Sequence, residues 1–231
     1  MDGQFVPNKT FDHTKIKELR PLTLIPFDAH LMIDEPVKHV HDYVDAGSDI
    51  ITVHAEVCDE SSFGEICDVL HSNEVGIGLA INPDTELPQW CYKFVELLDQ
   101  VIIMSVVPGK SGQKFIESTH EKTRRVTKDL REHKFEGYVE SDGGVNLENI
   151  GACFEDGARA FVGGSAIIGQ NDVRMIIKEF RNQVLESRRR LLIKKAHDLG
   201  GTELVNSWID LHVVGEKKDK LVQIAKELGF Q

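Results

Sequence analysis

The segment Met104-Ser-Val-Val-Pro-Gly-Lys-Ser-Gly-Gln-Lys-Phe115 is the most chemically specific stretch of the chain. An apolar run enters a loop containing Pro108, Gly109, Ser111 and Gly112, and a helix-like stretch follows. Small residues let the backbone come close to an anion, and a helix start adds N–H groups with no internal acceptor. Two more glycine pairs close apolar runs, in Asp142-Gly143-Gly144-Val145 and Gly163-Gly164-Ser165-Ala166. One such pair alone is more often a turn than a site. Three small-residue loops closing three consecutive runs point instead to a phosphate cradle.

Groups able to move protons or hold metals sit at the same ends. Asp142 precedes the first glycine pair, where an aspartate is commonly a turn residue or helix cap. Beside a phosphate cradle it becomes a candidate proton-transfer group or metal ligand. His30 lies at the end of Phe27-Asp28-Ala29-His30-Leu31-Met32, and His54 is placed alike in Val53-His54-Ala55-Glu56. Either could be a satisfied core histidine. Two histidines and an aspartate on strand ends would suit a divalent cation.

Short, β-branched-rich apolar runs position these groups: Leu24 to Met32, Asp49 to His54, Val75 to Ile81, Val101 to Val106, Gly137 to Asp142 and Ala160 to Gly164. Helix-like stretches alternate with them: Pro36 to Ala46, Ser62 to His71, Leu87 to Leu98, Phe115 to Arg131 and Leu147 to Asp156. The repeat is about 25 residues, the size of one βα unit. Alternation predicts parallel strands with right-handed crossovers. Functional residues close most of the runs, which favours a (β/α) barrel over an open doubly wound sheet with one switch point. Six strands are expected where a closed barrel takes eight. The sequence therefore predicts an α/β fold of the (β/α)8 TIM-barrel type, N-terminally truncated, over residues 1–180. Residues 181–231 are expected to form a helical C-terminal extension. In it, a long helix from Asn171 to Leu199 carries Arg188-Arg189-Arg190, and two short helices run from Thr202 to Leu211 and Glu216 to Leu228.

The 231 residues suffice for one large α/β domain, and 41% hydrophobic with 28% charged residues is compatible with a buried core. The net charge of -11 argues against a general nucleic-acid binder without excluding a phosphorylated small molecule. No apolar run is long enough for a membrane span, and the N-terminus has no secretory pattern. Cys58, Cys67, Cys91 and Cys153 are scattered, as expected of reduced thiols in a cytoplasmic protein.

Asp28-Ala-His-Leu-Met32, Val53-His-Ala-Glu56, Met104 to Phe115, Glu140-Ser-Asp-Gly-Gly-Val145 and Gly164-Ser-Ala-Ile167 together resemble the ribulose-phosphate 3-epimerase family in order and spacing. Met1-Asp-Gly-Gln-Phe-Val-Pro-Asn8 resembles the family segment after its second strand. The resemblance spans residues 1 to about 180. It implies metal-dependent epimerisation at C3 of ribulose 5-phosphate and xylulose 5-phosphate, in pentose phosphate metabolism. It also implies His30 and Asp142 as ligands of a divalent cation (Zn, Fe, Mn or Co) and Asp142 as one of two acid/base aspartates. Met1, Met32 and Met104 would line the space around the reacting carbons. Gly109, Ser111, Gly112, Gly143, Gly144, Gly164 and Ser165 would hold the phosphate. The expected partner is a small sugar phosphate, with no nucleic acid or membrane, and the expected assembly is a homo-oligomer.

The chain departs from the family pattern in two places. Lys110 stands where the family has an aromatic residue, and Ser111 where it has a glycine. The family's His-x-Asp pair, which supplies two more ligands and the second aspartate, precedes the Met1 position. The expectation is therefore twofold. Either about 40 further residues precede this methionine, completing the barrel, or the chain is a catalytically impaired phosphosugar-binding barrel or interaction module. A six-carbon ketose phosphate is a rival substrate. A decarboxylase of the orotidine-phosphate type is disfavoured by the lack of a D-x-K-x-x-D pattern.

Overall fold

The computed structural model describes residues 1–198. Six strands form one sheet in the order β1-β2-β3-β4-β5-β6. They are β1 (Asp28–Leu31), β2 (Ile50–His54), β3 (Gly76–Ile81), β4 (Gln100–Met104), β5 (Tyr138–Asp142) and β6 (Ala160–Val162). All neighbouring pairs are parallel. The helices are α1 (His13–Leu19), α2 (Val40–Asp45), α3 (Glu60–Ser72), α4 (Thr119–Glu132), α5 (Ile150–Glu155), α6 (Gly164–Ile168) and α7 (Val173–Asp198). Sequence order equals spatial order, so each crossover moves the chain one strand along, as in a barrel wall. β1 and β6 end the sheet and pair with each other nowhere among the described residues. The wall is a six-stranded part of a barrel.

Strand side chains alternate between faces. On β2 to β4, Ile51, Val53, Ile77, Leu79, Ile81, Val101 and Ile103 face outward into a core shared with Val40 and Tyr43 of α2, Phe63, Ile66 and Leu70 of α3, and Val126 and Leu130 of α4. The alternate set faces inward, and Ala80, Ile102 and Met104 meet Val6, Met32 and Val106 there. Truncating a buried residue such as Ile103 to alanine costs roughly 2–5 kcal/mol by lost burial and cavity formation.

The α3 helix starts where Asp59 and Ser62 cap each other, Ser62 N–H donating to Asp59 Oδ1 at 2.8 Å and Asp59 N–H to Ser62 Oγ at 2.9 Å. Phe63, Ile66, Cys67 and Leu70 then fall on one buried stripe. Helices α1 and α6 were not expected from the sequence, and two expected elements differ in form or extent. Leu87 to Leu98 forms only a 3-10 turn, Gln89–Lys93. Pro88 opens it in extended backbone. Trp90 and Phe94 pack on Phe63 (5.2 and 5.3 Å between ring centres), which serves burial without a full helix. The first strand is also shorter than Leu24 to Met32, because Pro26 has no N–H to pair and Leu22, Leu24 and Ile25 point into solvent.

The boundary between residues 180 and 181 lies inside α7, a single helix lying along α5. Gly151 lets Ser187 approach, since a Cβ there would lie 2.6 Å from its hydroxyl. Arg190 pairs with Glu155 at 3.2 Å. The two short helices expected in the tail lie outside the described residues.

Candidate active site

Inward-facing positions at the strand ends build a polar mouth from short, regular spacings. Asp28 and His30 are two apart on β1, Thr52 and His54 on β2, and Glu140 and Asp142 on β5, so each pair shares the concave face. Register and curl bring the two ends together. His30 Nδ1 lies 3.2 Å from Asp142 Oδ2, across 112 residues of sequence. His30 Nε2 lies 2.9 Å from His54 Nε2. His54 Nδ1 is 3.1 Å from Glu56 Oε2, and the Asn82 N–H donates to Glu56 Oε1 at 2.7 Å. Burial alone would raise the Glu56 carboxyl, but donors from His54, Thr85 and the Asn82 backbone outweigh it and bring it down to about 2. His54 has no exposed surface, and burial pushes its imidazolium form down.

Below the mouth, Gln100 donates to Asp28 Oδ2 at 2.9 Å and to Thr52 Oγ1 at 2.6 Å. It reaches over Gly78, where a Cβ would sit 2.0 Å from Thr52 Oγ1. Glu140 is buried on the same face. Desolvation first, then the charges of Asp28 and Asp142, push its carboxyl up to about 8.

The glycine loops close over this mouth and brace one another. Ser105 donates its hydroxyl to Gly143 O at 2.6 Å and its N–H to Asp142 O at 2.7 Å. Gln113 folds the loop after β4 back on itself, donating to Val107 O and Lys110 O. Asn149 donates to Gly144 O at 3.1 Å. Gly143 and Gly144 have φ of +114° and +66°. A Cβ on Gly143 would lie 2.2 Å from Val106 Cγ2, and one on Gly144 2.5 Å from the Phe115 nitrogen. At Gly112 and Gly164 a Cβ would meet nothing, so these two border open space. The N-terminal segment clamps the loop from outside, with Asn8 donating to Gly109 O at 2.5 Å.

One cavity of 810 Å³ results, and it is lined by Met1, His30, Met32, Met104, Gly109, Ser111, Gly112, Asp142, Gly143, Gly144, Gly164 and Ser165 of the residues expected from sequence, but not by His54. Thr10, Phe11 and Lys15 also line it and were not anticipated, because no pattern in the N-terminal segment announces which loop it covers. Asp28, Glu140 and Gln100 had a readable signal, since they stand two or four places before His30, Asp142 and Met104 on the same strands. His54 corrects the expectation of a two-histidine, one-aspartate metal set. Both its nitrogens are engaged, and among the described residues no group of three or more His, Cys, Asp or Glu side chains gathers to hold an ion.

A parallel sheet curled about a mouth of strand-end side chains defines a (β/α)-barrel enzyme. Residues 1–168 match the Ribulose-phosphate 3 epimerase family, and the chain belongs to that family of isomerases. It is 39% identical over 182 residues to the ribulose-phosphate 3-epimerase of Bacillus subtilis (strain 168), covering 78% of this chain and 82% of that one. It is 40% identical over 178 residues to the chloroplastic ribulose-5-phosphate-3-epimerase of Arabidopsis thaliana, covering 77% of this chain and 63% of that one. Among solved structures, KGPDC from Streptococcus mutans superimposes with a TM-score of 0.56 at 15% identity, over 74% of this chain and 77% of that one. The last likeness concerns the fold alone, and supports the barrel assignment.

Proposed function

We propose that the chain interconverts ribulose 5-phosphate and xylulose 5-phosphate by moving the proton on C3, in pentose phosphate metabolism. One observation carries this reading: the His30–Asp142 pair, 3.2 Å apart, shares a single cavity with the Gly143–Gly144 and Gly164–Ser165 turns. Backbone N–H groups of Gly112, Gly144, Gly164 and Ser165, with the Ser111 hydroxyl and the room left at Gly112 and Gly164, receive the phosphate, and the tight turns at Gly109 and Gly143 shape the loops around it. That fixes the distance from phosphorus to C3 and brings C3 to Asp142 at the mouth. Asp142 exchanges the C3 proton on one face of the intermediate. Met1, Met32 and Met104 pack apolar surface around the reacting carbons and keep bulk water away.

A divalent cation (Zn, Fe, Mn or Co) fits this mouth in part. An imidazole nitrogen and a carboxylate oxygen converge in His30 and Asp142, which is two of the four or more donors such an ion takes. Substrate oxygens and water would fill the remainder. When bound, the ion supplies Lewis-acid stabilisation of the charge that builds on the substrate oxygens.

A second reading is favoured by a specific feature. Of the two carboxylates that line the cavity among the described residues, Asp28 is held by Gln100, which leaves Asp142 as the one beside His30. A single proton-transfer group serves one face. The chain would then bind the phosphosugar and exchange its proton with little inversion, which is the catalytically impaired form of the same site. We assign the chain to the cytoplasm, supported by four free cysteines, and to a homo-oligomeric assembly.

Interconversion of the two pentulose phosphates, with the corresponding hexulose phosphate alongside, tests the proposal. Asp142→Asn should lower kcat by about 10²–10⁴-fold with little change in KM. Equal rates for Asp142→Asn and the parent chain would refute it.

A further inference from the structure

We propose that Ser105 is a positioning residue for phosphate capture: it grips two successive carbonyls, Asp142 O and Gly143 O, and so aims the Gly144 N–H at the substrate phosphate. The inference rests on the phosphosugar reading of the cavity and deepens it.

The position of Ser105 follows from strand register. Met104 pairs with Asp142 as the last rung between β4 and β5, so Ser105 is the first residue past that rung and meets the Gly143 turn. Its backbone N–H donates to Asp142 O at 2.7 Å, and its hydroxyl donates to Gly143 O at 2.6 Å. Carbonyl oxygens only accept, so Ser105 is the donor in both. Its own carbonyl takes the Ile116 N–H at 2.9 Å, which fastens the far end of the loop that carries Ser111 and Gly112. One residue therefore ties the β4 loop, at both of its ends, to the turn after β5.

Peptide planarity turns this grip into a direction. In a trans peptide the C=O and the N–H of the next residue point opposite ways. Drawing Gly143 O toward Ser105 therefore turns the Gly144 N–H away from it. Ser105 is 1% exposed, whereas Gly144 lines the cavity, so the side away from Ser105 is the cavity side. The Gly144 N–H has no acceptor among the described residues, which suits it to receive an anion. The following peptide is held as well, since Asn149 and Asn146 donate their side-chain amides to Gly144 O at 3.1 and 3.3 Å. Three successive carbonyls, of Asp142, Gly143 and Gly144, thus face protein donors. Losing the Ser105 hydroxyl frees the middle one and lets its peptide rotate. Ser141 Oγ lies 3.3 Å from Ser105 Oγ and is a second buried hydroxyl beside the turn, but it holds neither carbonyl.

The test uses the full chain with inorganic phosphate alone as the probe. In nitrogen–proton correlation spectra of the parent, added phosphate should shift the Gly144 amide proton downfield. Phosphate affinity by calorimetry should fall about 10-fold in Ser105→Ala, the scale of one hydrogen bond to a charged group. Ser105→Cys fills the same space with a weak donor, and should keep the fold while recovering little of the affinity. Ser141→Ala removes the neighbouring hydroxyl and should bind phosphate like the parent. Equal affinity in the parent and Ser105→Ala overturns the proposal but leaves the phosphosugar reading standing. Full recovery in Ser105→Cys, or an equal loss in Ser141→Ala, also overturns it, because packing alone would then account for the effect. A Gly144 amide that ignores phosphate in a parent chain that binds it overturns the proposal without any variant having to fold. A parent chain that binds no phosphate removes the phosphosugar reading, and the proposal with it.

Discussion

Glu140 is 7% exposed on the concave face of β5, and its carboxyl is raised from 4.5 to about 8 by burial and then by Asp28 and Asp142. A carboxyl raised on folding binds its proton more tightly in the native state. Stability is therefore unaffected below about 4.5, falls as pH rises through the interval, and reaches its full loss above about 8. Each unit is about 1.4 kcal/mol, so the ionised side chain costs several kcal/mol. Thermal melts between roughly pH 5 and 8 should show a declining Tm in the parent chain and a flatter profile in Glu140→Gln. Parallel profiles would place the raised proton affinity elsewhere. At this scale the sequence was partly legible. Asp142 and His30 could be read because each closes an apolar run beside a glycine turn or a family-like motif. The contacts that engage both His54 nitrogens could not, because one of them depends on Glu56 being folded back by the 3-10 turn Ala55–Val57.

The glycine turns make the cradle, and they differ in what they tolerate. Gly143 combines φ of +114° with a Cβ site 2.2 Å from Val106, so Gly143→Ala must both strain the backbone and displace a buried valine. It should destabilise by about 2–4 kcal/mol and raise KM for the phosphorylated substrate. Gly112→Ala meets only the left-handed backbone cost, about 1 kcal/mol, because no atom stands where its Cβ would go. Chemical denaturation of the two variants decides the order, and equal losses would mean that Val106 yields. Strands were legible as short β-branched runs, and their order followed from alternation. The stretch 87–98 was misread because its apolar spacing comes from aromatic residues packing on Phe63, a contact that helical periodicity imitates.

Among the described residues the sheet ends at β1 and β6, and apolar side chains stand exposed near both: Leu24 fully, Ile25 at 71%, and Ile168 at 80%. Unpaired parallel edges with exposed apolar flanks favour association. Light scattering on the purified 231-residue chain should give a mass above the 26.0 kDa of one copy. A cooperatively melting monomer would contradict that. The six-strand count was legible in the sequence, and the closeness of His30 to Asp142 was implied by the family resemblance; the curl of the whole wall, which realises it, is a property no single segment carries.

That curl is what puts His30 beside Asp142, and the account stands on the pair acting at C3. The most direct measurement is proton magnetic resonance of ribulose 5-phosphate incubated with the chain in heavy water. The C3 proton signal should disappear through solvent exchange at a rate proportional to protein, and Asp142→Asn should abolish that loss. A C3 signal that persists with the folded parent chain, or fades equally with Asp142→Asn, would contradict the account.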